Sequence, residues 1–205
     1  MTTLPTNDLT PSQKWDGLYT GGAAYKPLNL VFLNRLLERI EALTGRRPAT
    51  VLDLGCGTGD SLAKLAAAGI TDVRGMDCSS VALEMADKAI DSDRLSRGDL
   101  DGLDRSELAE GRYDLILCKL TVAFVRDRSR FLKTVKEMMN AGSVLCVITP
   151  VLYDGVEYRP EDKPSIAVSY AEFRSLLEET FGRVEEFHHD YFGERGDTVT
   201  FLATQ

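Results

Sequence analysis

The chain has 205 residues, which suffice for one domain with a substantial core and are few for two. Its 32 acidic residues outnumber its 24 basic ones and give a net charge of -8, so nucleic-acid phosphates would be repelled and a nucleic-acid backbone is not favoured as the main partner. No apolar run approaches the roughly 18 residues that cross a bilayer, and residues 1–9 lack the apolar core of a signal peptide. These features predict a soluble, cytoplasmic protein with no membrane partner.

Hydrophobic periodicity predicts alternating helices and strands. Apolar residues recur every three or four positions over 27–45, which predicts a helix that ends at Gly45. The further predicted helices cover 60–68, 79–90, 128–140 and 170–181. The predicted strands cover 50–54, 72–77, 94–97, 113–118, 143–149, 183–190 and 198–204. This alternation predicts an α/β fold with a doubly wound, mostly parallel sheet, and the glycine-flanked connection at 192–197 predicts an antiparallel hairpin.

Four cysteines lie in or at the end of predicted strands without any C-x-x-C spacing. They are Cys56, Cys78, Cys118 and Cys146. This distribution fits reduced thiols packed in the core of a cytoplasmic protein, and we predict no metal site.

A glycine-rich loop directly follows the first predicted strand, in the sequence Asp53-Leu54-Gly55-Cys56-Gly57-Thr58-Gly59. Glycine lacks a Cβ, so the backbone can turn sharply and a ligand can touch it. Open α/β sheets bind nucleotides at such loops. A dinucleotide fingerprint would need a sixth-position glycine, whereas the chain has Asp60 there, at a helix start where it would repel a pyrophosphate.

The loop resembles motif I of the class I S-adenosylmethionine (SAM)-dependent methyltransferases, D/E-x-G-x-G-x-G, and matches every fixed position of it. The closing hairpin is similar to the antiparallel end of the sheet in that family. The resemblance implies a Rossmann-like sheet of seven strands with helices on both faces. It also implies SAM as cofactor, S-adenosylhomocysteine (SAH) as product, and a methyltransferase as the activity.

The resemblance implies a role for each residue at the strand ends. The loop residues Gly55, Cys56, Gly57, Thr58 and Gly59 would approach the methionine moiety, with Asp53 suited to its cationic group. The further candidates are Asp77 for the ribose hydroxyls, Asp99 for the adenine amine, Leu100 and Cys78 as apolar walls, and Cys118 at the exit of the fourth strand. Lys119 departs from this pattern, because a cation near a sulfonium is unfavourable, and we expect it to form an ion pair at the surface or in a loop.

Two segments outside the cofactor loops are candidates for the acceptor site. Residues 1–26 form a candidate lid with Trp15, Tyr19 and Tyr25, and residues 27–205 form the single predicted domain. The segment 150–169 is long for a connection and carries Tyr153 and Tyr158. The alternative for the first segment is an aromatic clasp, and for the second a simple excursion of the chain.

The leading interpretation is a SAM-dependent methyltransferase that acts on a small molecule, with no catalytic side chain identified. Methyl transfer is an in-line displacement that depends mainly on alignment and on exclusion of water. The alternative is an inactive SAM- or SAH-binding regulatory or scaffold module. A nicotinamide oxidoreductase fits less well, because of Asp60 and the closing hairpin. The acceptor and the oligomeric state stay open.

Overall fold

A computed structural model describes residues 9–23, 28–158, 166–188 and 198–205. The helices are α1 (Pro11–Thr20), α2 (Leu30–Thr44), α3 (Asp60–Ala67), α4 (Ser80–Ala86), α5 (Arg128–Glu137) and α6 (Tyr170–Phe181). The strands are β1 (Thr50–Leu54), β2 (Asp72–Asp77), β3 (Leu95–Arg97), β4 (Tyr113–Lys119), β5 (Met139–Leu152), β6 (Val168–Ser169), β7 (Arg183–His188) and β8 (Thr198–Thr204). Short 3-10 turns occupy Ser92–Arg94, Leu100–Arg105, Glu107–Glu110 and Val122–Phe124.

The eight strands form one sheet in the order β3-β2-β1-β4-β5-β8-β7, and β6 pairs with the far end of β5. The pairs from β3 to β5 are parallel, whereas β8 runs antiparallel to both β5 and β7. Parallel strands covered on both faces are expected to be apolar throughout, and β4 is buried from Tyr113 to Cys118.

Helices pack on both faces of the sheet. On one face the apolar sides of α2 and α3 bury residues such as Leu36 and Leu62. On the other face α5 and α6 bury Phe131 and Phe173. The carboxyl ends of β1, β2 and β4 therefore meet at one edge of a layered α/β core, where the connecting loops are left to form a site.

The predicted fold class is confirmed, with one correction to the strand count. The sheet has eight strands and not seven, because β6 adds a two-residue strand whose Val168 pairs with Val151. This pairing exists because β5 continues to Leu152, three residues beyond the predicted strand. The segment 150–169 is therefore partly regular, and residues 159–165 lie outside the described part of the chain.

Helix α1 was not predicted, although its start has a recognisable signal. Thr10 and Gln13 form a capping box, in which the Thr10 hydroxyl accepts a hydrogen bond from the Gln13 amide, and Pro11 occupies the first turn. This arrangement satisfies orphan amides at a helix N-terminus. The predicted lid therefore contains a capped ten-residue helix.

Other helix ends differ from the prediction by a few residues. Helix α4 ends at Ala86 and not at residue 90, and α5 ends at Glu137 because Met139 already pairs with Tyr113 of β4. In contrast, α6 and β8 begin and end at the predicted residues.

Candidate functional site

A cavity of about 630 Å³ opens at the carboxyl ends of β1, β2 and β4. Its floor is the glycine loop and the strand ends, and its roof is α1 with the residues before it. Cavities of a few hundred to 1,000 Å³ with mixed apolar and polar walls commonly hold small ligands and cofactors. The cavity is therefore the candidate site among the described residues.

The glycine loop is shaped by left-handed backbone at three positions. Gly55, Gly57 and Gly59 have φ of 83°, 54° and 75°, a region in which residues with a Cβ are strained. A Cβ on Gly55 would overlap the Thr121 methyl group, and one on Gly57 would lie 2.7 Å from the Tyr19 hydroxyl. The loop thus needs glycine both for its turn and for close packing against α1 and the residues that follow β4.

Asp77 fixes the loop from the end of β2. Its carboxylate accepts hydrogen bonds from the Gly57 amide at 2.8 Å and from the Ser79 amide at 2.9 Å, one on each oxygen. Burial raises its pKa, and the amide bonds oppose that shift. Each carboxylate oxygen has a second lone pair, so Asp77 can still accept a bond from a ligand hydroxyl.

Asp53 and Lys119 bring buried charge into the floor. Asp53 is 2% exposed, and burial raises its pKa to about 7, with Lys119 opposing the rise. Burial lowers the pKa of the Lys119 ammonium, and Asp53 opposes that shift. Lys119 is the last residue of β4 and lines the cavity, and the ion pair expected of it at the surface or in a loop stays a prediction.

Two carboxylates line the cavity in the segment that follows β3. Asp99 precedes the 3-10 turn Leu100–Arg105 and accepts a hydrogen bond from the Asp101 amide at 3.0 Å. The Asp101 carboxylate in turn accepts a hydrogen bond from Arg126 Nε at 2.6 Å. Leu100 lines the cavity beside these groups and packs against the core, so this corner offers an apolar surface next to carboxylates.

One carboxylate makes three hydrogen bonds that hold the roof to α4. Asp16 of α1 accepts hydrogen bonds from the Ser79 hydroxyl at 2.7 Å, the Ser80 hydroxyl at 3.3 Å and the Val81 amide at 3.2 Å. Its pKa is lowered mainly by the Ser79 hydroxyl. Because these donors lie at the start of α4, Asp16 stabilises that helix end and holds α1 over the cavity at the same time.

Aromatic side chains complete the roof. The Trp15 ring meets the edge of Phe124 at 5.1 Å between centroids, and Lys14 Nζ lies 5.6 Å from the centre of the Phe124 ring. Tyr19 is buried against the glycine loop. These contacts make an aromatic cover next to a cationic group.

The structure brings together most of the site residues predicted from sequence. The predicted residues that line the cavity are Trp15, Tyr19, Asp53, Gly55, Cys56, Gly57, Thr58, Asp77, Cys78, Asp99 and Leu100.

Of the other predicted site residues, four do not line the cavity and one lies outside the residues that the structure describes. Gly59 does not line the cavity but starts α3, and the buried Cys118 contacts the Thr121 hydroxyl through its Sγ at 3.0 Å. Tyr153 and Tyr158 do not line the cavity either: the Tyr153 amide donates to the Tyr158 hydroxyl, and the Tyr153 ring stacks on Tyr170. Tyr25 lies outside the described residues.

Several lining residues were not predicted. They are Leu9, Pro11, Lys14, Leu18, Asp60, Ser61, Gly98, Asp101, Phe124, Arg126 and Ile166. Leu120 has φ of 64°, which is rare for a residue with a large side chain and marks strain at the site. Leu120 directly follows β4 and therefore lies at the same edge of the sheet as the glycine loop.

Comparisons with known proteins point to one family. A family model described as a methyltransferase domain matches residues 47–185. Trans-aconitate 2-methyltransferase of Deinococcus radiodurans is 32% identical over 123 residues, which cover 58% of this chain and 45% of that protein. Malonyl-[acyl-carrier protein] O-methyltransferase of Pseudescherichia vulneris is 31% identical over 104 residues, covering 51% of this chain and 40% of the relative. The chain thus matches less than half of either relative's length.

A solved structure shares the fold. The plantazolicin methyltransferase BpumL, in complex with a pentazolic desmethylPZN analog and SAH, aligns with a TM-score of 0.68 at 16% identity, over 95% of this chain and 92% of that one. The family model matches more than half of the chain, and this alignment agrees with it in fold. The chain therefore belongs to the methyltransferase domain family, with the class I fold of the SAM-dependent methyltransferases that its glycine loop predicted.

Proposed function

We propose that this protein is a SAM-dependent methyltransferase that transfers a methyl group to a small-molecule acceptor. The observation that carries the proposal is the cavity itself, which joins the glycine loop, the acids at the ends of β1 and β2, and the aromatic roof around one space. Family membership supports the same activity.

The residues present fit SAM by their chemistry. The Asp53 Oδ1 atom is buried and has no hydrogen-bond partner among the described residues, so an added donor would satisfy it. Asp77 retains acceptor capacity for ribose hydroxyls, and Asp99 and Leu100 offer an acceptor and an apolar wall for adenine. The loop glycines leave the space that a ligand needs beside the backbone.

Bound SAM would supply a methyl group on a positively charged sulfur. The protein's share of the chemistry is to bind, to orient and to exclude water. Because α1 covers the cavity, Trp15 and Tyr19 shield the reacting groups from solvent. Such alignment can provide most of the rate enhancement of an in-line displacement, so the proposal needs no fixed general base.

For the acceptor, we propose that a screen begin with small carboxylic acids and acyl thioesters. Two curated relatives are named for trans-aconitate and for malonyl-[acyl-carrier protein], and the roof of this cavity carries Lys14 near its aromatic surface. We also propose a reducing, cytoplasmic location, which the four free cysteines support.

The test is calorimetric titration with SAH, SAM and NAD, followed by turnover with methyl-labelled SAM. SAH binding without NAD binding, together with label in an acceptor, is the expected result. SAH binding without transfer to any acceptor in a broad screen would favour the alternative, an inactive SAM- or SAH-binding module. No SAH binding by the folded protein would overturn both.

Among the described residues, no helix is both long enough and apolar enough to cross a bilayer. The assignment of residues 1–26 as a lid and of 27–205 as the single domain stays a prediction, and the contacts of Asp16 and Trp15 support it.

A further inference from the structure

Two cations and an exposed aromatic ring lie together at the rim of the cavity. Lys14 of α1 lies over the Phe124 ring, with its Nζ 5.6 Å from the ring centre. Val125 is extended and buried, so the side chains on either side of it, Phe124 and Arg126, project away from the core. Lys14, Phe124 and Arg126 all line the cavity, and we call these three residues the rim cluster.

Both cations of the rim cluster keep hydrogen-bond donors for a ligand. The Lys14 ammonium meets the Phe124 ring on one side, and no carboxylate in the described ranges of the chain forms an ion pair with it. Arg126 donates from Nε to Asp101 at 2.6 Å, whereas its two Nη groups have no hydrogen-bond partner among the residues that the structure describes. A guanidinium has five N–H donors, and the exposed Arg126 side chain therefore has donors to offer at the rim.

The acids near the rim cluster offset Arg126 but not Lys14. Asp101 forms a salt bridge with Arg126, and Asp99 also acts on the Arg126 charge. Asp16, the acid of α1, is bound to the start of α4 by its three hydrogen bonds. The positive charge of Lys14 is therefore the one that a ligand anion can match at this rim.

A carboxylate on an apolar carbon skeleton fits this arrangement. Its two oxygens can accept from the Lys14 ammonium and from the Arg126 Nη groups, in charge-assisted hydrogen bonds. The skeleton would then lie against the Phe124 ring, whose other contact is the edge-to-face packing with Trp15. A phosphoryl dianion fits less well, because its second negative charge would be repelled by Asp101.

We propose that the rim cluster binds a carboxylate of the methyl acceptor and so selects anionic acceptors over neutral ones. This inference rests on the proposed function and adds the residues that recognise the acceptor. Lys14 supplies the charge, Arg126 supplies further donors, and Phe124 supplies the apolar surface.

Three small probes that share one ring separate these contributions. Benzoate carries a carboxylate, benzamide is its neutral counterpart, and phenylphosphonate is a dianion at pH 8. We expect benzoate to bind the SAH complex more tightly than either of the other two, as measured by calorimetry. Lys14→Met should weaken benzoate about fivefold and leave benzamide within about twofold of the parent, whereas Lys14→Arg should retain benzoate binding.

Arg126→Met should weaken benzoate less, by about threefold, because Asp101 already offsets part of the Arg126 charge. Lys133→Met is the matched control, since Lys133 is an exposed lysine of α5 that does not line the cavity. Its affinities for the three probes should equal those of the parent.

Three results would overturn the inference. They are benzoate binding no tighter than that of benzamide or phenylphosphonate, benzoate binding that Lys14→Met leaves unchanged, and equal weakening of all three probes by Lys14→Met, which would show a packing role. Titration of the same proteins with SAH tests the proposed function separately. If the parent does not bind SAH, the proposed function is overturned, and benzoate titration of the protein without SAH then tests the rim cluster as an anion site.

Discussion

The floor and the roof of the cavity are built in different ways. The floor consists of strand ends and a glycine loop, whose amides at Gly55 and Cys56 bond to the Met76 carbonyl of the neighbouring strand. The roof is a ten-residue helix, held to the start of α4 by the Asp16 carboxylate and to the turn Val122–Phe124 by the contact of Trp15 with Phe124. Ligand geometry therefore depends on the core, whereas ligand access depends on a few contacts that can open at small cost in free energy.

The largest loss of stability should come from a substitution in the glycine loop of the floor. Gly55→Ala forces a Cβ into the Thr121 methyl group at a left-handed position and should destabilise the protein by about 3 kcal/mol. Gly142→Ala is the control, since its φ of 73° is similar but nothing lies within 4 Å of the added atom, and it should cost about 1 kcal/mol. Equilibrium urea unfolding compares the two, and equal losses would contradict the steric explanation.

The buried charge of the floor should cost stability as the pH rises. The folded-state pKa of Asp53 is raised from 3.8 to about 7, so the folded protein binds the proton more tightly than the unfolded chain. Stability is therefore lost between about pH 4 and pH 7, and Asp53→Asn should be the more stable protein at pH 8, by about 4 kcal/mol.

The charged groups that act on Asp53 are Lys119 of β4 and Asp77 of β2. Unfolding curves at pH 5 and pH 8 measure the effect, and Lys119→Met serves as the opposite change, because it removes the favourable neighbour. A stability difference between Asp53→Asn and the parent that does not grow from pH 5 to pH 8 would refute the prediction.

A substitution that loosens the roof should change the dynamics of α1 alone and leave the rest of the protein unchanged. Asp16→Ala removes three hydrogen bonds to the start of α4 and should weaken the docking of α1 by about 1 kcal/mol. Amide hydrogen exchange of residues 11–20 should then be faster, with exchange of β4 unchanged. Asp16→Asn keeps an acceptor atom, so its exchange rate should lie between those of the parent and Asp16→Ala. Equal exchange rates of residues 11–20 in all three proteins would show that Asp16 does not hold the helix.

The smallest effect concerns ligand exchange. Trp15→Leu removes the edge-to-face contact with Phe124, worth about 0.7 kcal/mol, and should speed SAH release about threefold. Stopped-flow dissociation measures the rate. Tyr153→Leu also removes an aromatic pair, but one that does not line the cavity, and it should leave the rate as it was.

Sequence patterns predicted the floor better than the roof, for a physical reason. The strand ends and the glycines carry local signals, because buried strands are apolar throughout and left-handed turns require glycine. The position of Asp77 and Asp99 at strand ends followed from those signals. The alternation along β4 from Leu115 and Leu117 also places Lys119 on the face of Asp53.

The roof depends on contacts between segments far apart in the chain. Asp16 meets Ser79 across 63 positions, and no local pattern reveals such a bond. The strand β6 was missed for a similar reason, because two residues carry no periodicity and pair only where β5 extends to Leu152. Tyr153 and Tyr158 were chosen for their side-chain type, and their contacts with each other and with Tyr170 serve packing outside the cavity.

The place of β8 has a consequence for synthesis on the ribosome. This strand follows β7 in the chain but lies between β5 and β7 in the sheet. Until residues 198–204 have emerged, β7 has no neighbour to join, and β5 presents an open edge built of fully buried residues. The nascent chain must therefore hold that edge free of other strands until β8 arrives, so the interval between the synthesis of β5 and that of β8 is when this edge is most exposed to misassembly.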